Sequence, residues 1–157
     1  MTDFELITLE PDTDQLEGIV MPLCAEILPG VTTDYFRDRL DSIRRPHLIL
    51  AKRKEKNVGF KLGYELSGSV FFSWLGGVEP NSRRHGIASR LMFAQHQAAS
   101  ANGYAHIETR ARATNNAMII LNLKHGFQII GFEIDVRNIP VVLQRKALER
   151  FPALLNR

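Results

Sequence analysis

The sequence has a single cysteine, Cys24, so no disulfide can form within the chain. Cys24 falls in an apolar stretch with helical spacing, where a small core residue is expected rather than a nucleophile. Long apolar runs are missing too, and none approaches the roughly 20 residues that cross a bilayer. The opening residues, Met1-Thr2-Asp3-Phe4-Glu5, lack the basic start and apolar run of a signal peptide. A cytoplasmic protein with no membrane association is the expectation. Charge of one sign is scarce: Lys plus Arg number 20 and Asp plus Glu 17, a formal net charge of +3. That excess is too small to argue for a nucleic-acid partner. A Gly-x-x-x-x-Gly-Lys-Ser/Thr phosphate loop is absent, and so is an early Gly-x-Gly-x-x-Gly dinucleotide fingerprint. No metal is expected. Linkers, repeats and low-complexity segments are also lacking, so residues 1–157 read as one domain.

An apolar fraction of 45% and a charged fraction of 24% suit a globular chain with a sizeable core. Residues 4–9 read as a strand, and Leu16, Ile19, Val20, Leu23, Cys24, Ile27 and Leu28 recur at helical spacing. Pro29-Gly30 stops that helix. Thr32 or Thr33 caps a second helix, expected to run to Arg45-Pro46. A strand at 47–51, a charged turn at 52–57, and strands at 58–66 and 69–78 follow as a meander. A long helix from Ile87 ends at Asn102-Gly103. Then come a strand at 104–111, a helix at 115–125, and strands at 127–136 and 140–146 about a turn at Arg137-Asn138. Residues 147–157 read as a frayed tail. This order predicts an α/β architecture, a mixed sheet with helices on its faces. Arg37, Arg39, Arg44, Arg45, Lys52, Arg53, Lys54 and Lys56 crowd one third of the chain. They form either a solvated face or a rim that attracts an anion.

The most informative stretch runs from Trp74 through Gly76, Val78, Glu79 and Pro80 to Arg83-Arg84-His85-Gly86-Ile87-Ala88-Ser89. A buried strand passes through a short loop into a helix whose first turn holds Gly86 and Ala88. A helix start leaves backbone N–H groups unpaired and carries partial positive charge. Small residues let a phosphate approach those donors, and Arg83, Arg84 and His85 add charge beside them. A phosphate-sized anion pocket is therefore expected after this strand.

Arg83-x-x-Gly86-x-Ala88 resembles the Gln/Arg-x-x-Gly-x-Gly/Ala signature of the GNAT N-acetyltransferase superfamily. A second block, from Asn115-Asn116-Ala117 to Lys124-His125-Gly126-Phe127, looks like that family's later helix, which begins with Asn and ends in Gly-Phe. The resemblance spans most of the chain and is strongest over residues 58–132. It implies a sheet splayed between its fourth and fifth strands, with acetyl-CoA as acyl donor. Gly76 and Val78 would pair with the pantetheine arm. Arg84, Gly86, Ala88 and Ser89 would hold the pyrophosphate, flanked by Arg83, His85 and Ile87, and Asn115 would contact the pantetheine.

The family's chemistry is direct attack of an amine on the thioester, which needs a base and a proton for the leaving thiolate. Many relatives place a Tyr acid where this sequence has Asn122. An amide cannot supply a proton at neutral pH, so Asn122 is expected to orient the thioester. No carboxylate occupies the usual base position on the fourth strand. Glu79 is the first candidate, with Glu65 and Glu108 behind it, while Tyr64, at strand spacing with Phe60 and Leu62, is read as core-facing or a substrate wall. Glu26, Tyr35 and Trp74 are candidates to receive a cationic amine through charge and ring faces. The acceptor is read as a small-molecule or peptide amine, and the resemblance also implies a possible homodimer. A non-catalytic acyl-CoA sensor and a nucleic-acid-binding module are the rival readings, the last ranked lowest.

Overall fold

The computed structural model describes residues 3–149. Seven strands form one mixed sheet: β1 (Glu5–Leu9), β2 (His47–Arg53), β3 (Lys56–Ser67), β4 (Val70–Val78), β5 (His106–Arg112), β6 (Gln128–Ile134) and β7 (Pro140–Ala147). The order across the sheet is β1-β2-β3-β4-β5-β7-β6. Every pairing is antiparallel except β4–β5. A parallel pair needs a crossover, which the helix α3 (Ile87–Ala101) supplies.

Alternation along β3 sorts the two faces. Phe60, Leu62 and Tyr64 pack with Leu16, Val20, Cys24 and Phe36 from α1 (Thr13–Ile27) and α2 (Thr33–Leu40). Val58 is an extra residue in the register with β2, and this bulge turns it to the opposite side, where it packs with Ile87 and Leu91 of α3. A third cluster joins Phe71 and Ile107 to Met92, Ala99 and Phe127. The last helix, α4 (Asn116–Lys124), is tied to β7 through Asn122 and Gln144. Cys24 is fully buried, and burial pushes its thiol up to about 11, as a core residue requires.

Several boundaries differ from those the sequence suggests. Helix α2 stops at Leu40, because the Ser42 hydroxyl donates to the Arg39 carbonyl and Ile43 N–H turns back to Leu40. Ile43 is still buried, so its helical spacing marked core without marking helix. The charged turn shrinks to Lys54-Glu55, both with positive φ (51° and 72°), the geometry of a two-residue hairpin. Strands β2 and β3 extend to meet it. At the other end Ala147 belongs to β7 and Leu148 N–H donates to the Ala105 carbonyl at 2.8 Å, while residues 150–157 of the expected tail lie outside the described residues.

The feature that positions the site lies in β4. Leu62 pairs with Leu75 and Gly63 with Ser73, so Trp74 is an extra residue and the strand bulges there. Strand β5 follows β4 only from Val70 to Ser73. Beyond the bulge the two strands part, and among the described residues the β5-facing edge of β4 from Trp74 to Val78 has no strand partner. The Thr109 hydroxyl donates to the Ser73 carbonyl at 3.0 Å, closing the fork.

Candidate functional site

At the open end of the fork, β4 runs into a single 3-10 turn, Pro80–Ser82, and then into α3. Arg84 and Gly86 both take left-handed backbone, at φ 68° and 78°. Gly86 is the N-cap and has no side chain to cap with, and the first turn of α3 holds no acidic residue. The first intrahelical N–H is that of Arg90, bonded to the Gly86 carbonyl at 3.1 Å. The amides of Ile87, Ala88 and Ser89 therefore carry the helix's unspent donors. Ile87 turns its side chain into the core, while Gly86 and Ala88 are exposed. A Cβ built on Gly86 meets nothing within 4 Å. Val78, Ser82, Arg83, Arg84 and the residues from Gly86 to Ser89 line a cavity of about 220 Å³ here.

The loop is held from below. Arg83 Nε donates to the Val78 carbonyl at 2.9 Å, and His85 Nδ1 lies 3.1 Å from the Ser82 carbonyl. Ser89 Oγ meets His125 Nε2 at 3.2 Å, which fastens the first turn of α3 to the end of α4. The backbone thus presents its amides outward while side chains hold the loop in shape. Such a cradle suits a diphosphate, so the residues fit the pyrophosphate of coenzyme A.

A second cleft, of about 440 Å³, runs along the fork and reaches Gly76, two residues before Val78 of the cradle. Its walls include Gly76, Trp74, Asn115 and Met118, with the α1–α2 loop from Ile27 to Val31 across the mouth. Glycine at 76 is required by crowding: a Cβ there would sit 2.9 Å from Lys61 Cδ and 3.0 Å from the Phe60 carbonyl. Asn115 caps α4, its Oδ1 accepting from Met118 N–H at 3.2 Å, and its side chain borders the same cleft.

Each of the expected acid–base and acceptor groups has partners within the chain. Glu79 is buried beside the loop, its carboxylate 2.8 Å from Lys56 Nζ and accepting from Ser82 Oγ at 2.8 Å. The Lys56 bond, then the Ser82 bond, hold its pKa below the usual carboxylate value. A carboxylate so satisfied clasps the turn before α3 and makes a weak base. Glu65 accepts from Tyr104 Oη and pairs with Arg45, while Glu108 pairs with Arg145. Asn122 is buried and donates to Gln144 Oε1 at 2.8 Å, so its amide N–H faces β7. Glu26 sits 3.8 Å from Lys56, away from the cleft walls.

Tyr35 and Trp74 do border the cleft, but their ring faces are taken by cations of the chain itself. Arg39 lies 5.1 Å over Trp74 and 5.8 Å over Tyr35, and Arg137 lies 5.0 Å over Tyr35. The cationic amine expected on these rings would meet arginine there.

One cleft residue escaped the sequence reading. Lys61 stands between Gly59 and Gly63 on the α3-facing side of β3, and its side chain crosses Gly76 into the cleft. It has no carboxylate partner among the described residues, and desolvation pushes its amine down to about 8. Its signal was a charge with a glycine two residues away on each side, between the apolar Phe60 and Leu62. Nearby, His96 Nδ1 accepts from Lys146 Nζ at 3.0 Å. Burial first, and then the charges of Lys146 and Lys61, hold His96 neutral, with its pKa near 3.

A forked mixed sheet with an anion cradle at the start of the crossover helix defines an acyl-CoA-type transferase architecture. The family model described as "Acetyltransferase (GNAT) family" matches residues 17–127, well over half of the chain. The chain belongs to the GNAT acetyltransferase family. Among curated proteins no sequence match is found.

Solved structures share the fold at low identity. Ard1 from Thermoplasma volcanium is 18% identical with a TM-score of 0.73, covering 95% of this chain and 100% of its own. A GNAT acetyltransferase from Elizabethkingia anophelis with acetyl-CoA bound is 14% identical with a TM-score of 0.73, covering 94% and 100%. The ribosomal-protein-S18-alanine N-acetyltransferase of Escherichia coli is 13% identical with a TM-score of 0.74, covering 94% and 96%. Among the described residues no helix is long and apolar enough to cross a membrane.

Proposed function

We propose that this chain transfers an acetyl group from acetyl-CoA to an amine of a small molecule or peptide by direct attack. The observation that carries this reading is the uncapped start of α3 at Gly86, open to solvent at the end of the β4–β5 fork. When bound, acetyl-CoA supplies an activated thioester carbonyl.

The chain's own residues divide the remaining work. The amides of Ile87, Ala88 and Ser89 bind the diphosphate, with Arg83 and Arg84 adding positive charge and His85 beside them. The unpartnered edge of β4 from Trp74 to Val78 offers backbone groups to the two amides of the pantetheine arm. A backbone N–H of the bulge is suited to polarise a carbonyl in the fork, a role that needs no reorganisation. The Asn115 amide supports the arm from the opposite wall.

Among the described side chains lining the cleft, Lys61 is the one whose lowered pKa lets it exchange a proton at mildly alkaline pH. Lys61 Nζ holds a proton on the α3 side of the sheet, where its lowered pKa makes release easy. Tyr35 Oη accepts from Trp74 Nε1 at 3.1 Å and stands on the acceptor side. With the carboxylates committed to other partners, water is the carrier that takes the proton from the attacking amine.

That commitment of the carboxylates also favours a second reading, a non-catalytic acyl-CoA sensor. Calorimetry with acetyl-CoA, followed by thiol release with a panel of amines, tests both. Binding with amine-dependent thiol release supports the transferase. Binding without it, across the panel, supports the sensor.

A further inference from the structure

The eight basic residues between Arg37 and Lys56 are not a uniform solvated face. Arg37 pairs with Glu17, Arg45 with Glu65, Arg53 with Asp3, and Lys56 with Glu26 and Glu79. Arg44 and Lys54 are exposed, and Lys52, half-buried on β2, stands opposite Glu5 of β1. Arg39 differs from all of them. It is half-buried, and every partner it has is electrically neutral. Nη1 donates to Tyr64 Oη at 2.7 Å, Nη2 donates to Tyr35 Oη at 3.3 Å, and the guanidinium stacks on Trp74. No ion pair to a carboxylate involves Arg39 among the described residues.

These contacts fix the guanidinium without neutralising it. A phenol and an indole face orient a cation, but only an anion cancels its charge in a partly desolvated site. Two of the five N–H donors are used, and the remaining ones form a fork of fixed direction. Arg39 borders a hollow of about 410 Å³ that shares Tyr35, Trp74, Arg112 and Arg137 with the fork cleft. Two of its other cations are already matched, Arg110 to Glu133 at 2.6 Å and Arg137 to Asp135 at 3.0 Å. Arg112 has no such partner among the described residues. Arg39 and Arg112 thus leave the acceptor end of the cleft with an unmatched positive charge.

We infer that the acceptor is an amine bearing an anionic group, a carboxylate in the first place, a few bonds from its nitrogen. Arg39 docks that anion, and the amine is thereby aimed up the hollow toward the fork. A polyamine or other polycation is excluded by the same field. The inference rests on the acetyltransferase reading and narrows its acceptor class.

Thiol release with acetyl-CoA tests it. The acceptors are glycine, β-alanine, 4-aminobutyrate and the common α-amino acids, each beside its primary amide, with 2-aminoethyl phosphate as the phosphate arm. At least one free acid, or the phosphate, should exceed its neutral counterpart (ethanolamine for the phosphate) in kcat/KM by about tenfold or more. In Arg39→Gln that ratio should fall toward one through a higher KM for the anionic acceptor, with the KM for acetyl-CoA unchanged. Arg39→Lys should restore part of the preference, since the charge returns without the fork.

Equal turnover of acids and amides by the wild type overturns the inference, even if Arg39→Gln fails to fold. So does an Arg39→Gln variant that loses acids and amides alike while keeping its thermal midpoint. A protein that neither binds acetyl-CoA nor releases thiol with any amine overturns the acetyltransferase reading itself, and this inference with it.

Discussion

The side-chain amide of Asn122 on α4 donates to Gln144 Oε1 on β7 across 2.8 Å, and both residues are buried. Gln144 in turn passes its own N–H to the Ile119 carbonyl at 3.3 Å. Where relatives carry a phenol in this helix, the chain spends the position on joining α4 to the sheet. Asn122→Ala should leave Gln144 with an unpaired buried acceptor and cost about 1–3 kcal/mol in urea unfolding. The loss should fall on stability, with kcat changed by no more than a few-fold. A large fall in kcat at unchanged stability would assign Asn122 to the chemistry instead.

Lys61 gives a pH signature. If the proton on Nζ is needed in the cleft, activity falls as pH rises through about 8, where the amine loses that proton. Lys61→Met should lower kcat at neutral pH and remove this descending limb. Saturating acetyl-CoA and acceptor across the alkaline range give the profile. The same limb in the variant would move the proton to another group.

His96 gives a second pH signature, in stability. Its ring is held neutral by burial and faces Lys146, with Lys61 and His125 also near, and its pKa is lowered from 6.5 to about 3. Between those values the unfolded chain's imidazole takes up a proton that the folded chain's cannot. Stability from this source is complete above 6.5 and is lost as pH falls through the window. His96→Gln, which keeps an acceptor for Lys146, should show a shallower drop in thermal midpoint from about pH 7 to about pH 4. Identical slopes in the two proteins would contradict this assignment.

What was legible in the sequence was what depends on neighbours along the chain. The Gly86 and Ala88 spacing after a strand is a backbone property, and the uncapped helix start followed from it. The seven strands and four helices of the described residues were readable from helical spacing and from apolar runs bounded by turn residues, for the same reason. Roles that depend on distant partners were not legible. Nothing near Glu79 in sequence announces that Lys56 will reach its carboxylate, nor that the same lysine draws Glu26 aside. Tyr35 and Trp74 offered open ring faces on paper, and Arg39 and Arg137 cover them only once α2 and the β6–β7 turn come together. The turn after β2 was legible, but its tightening to Lys54-Glu55 was hidden because neither residue is a usual choice for left-handed backbone.

The most direct test of the central claim is calorimetric titration of acetyl-CoA into the wild type, Gly86→Asn and Gly86→Asp. Both side chains tolerate the left-handed backbone at this position and enter open space, and they differ in charge. Diphosphate binding at the α3 start predicts that Asn keeps affinity within a few-fold, while Asp loses about a hundredfold or more through like-charge repulsion. Equal affinity for all three proteins would show that the diphosphate is held somewhere other than the first turn of α3.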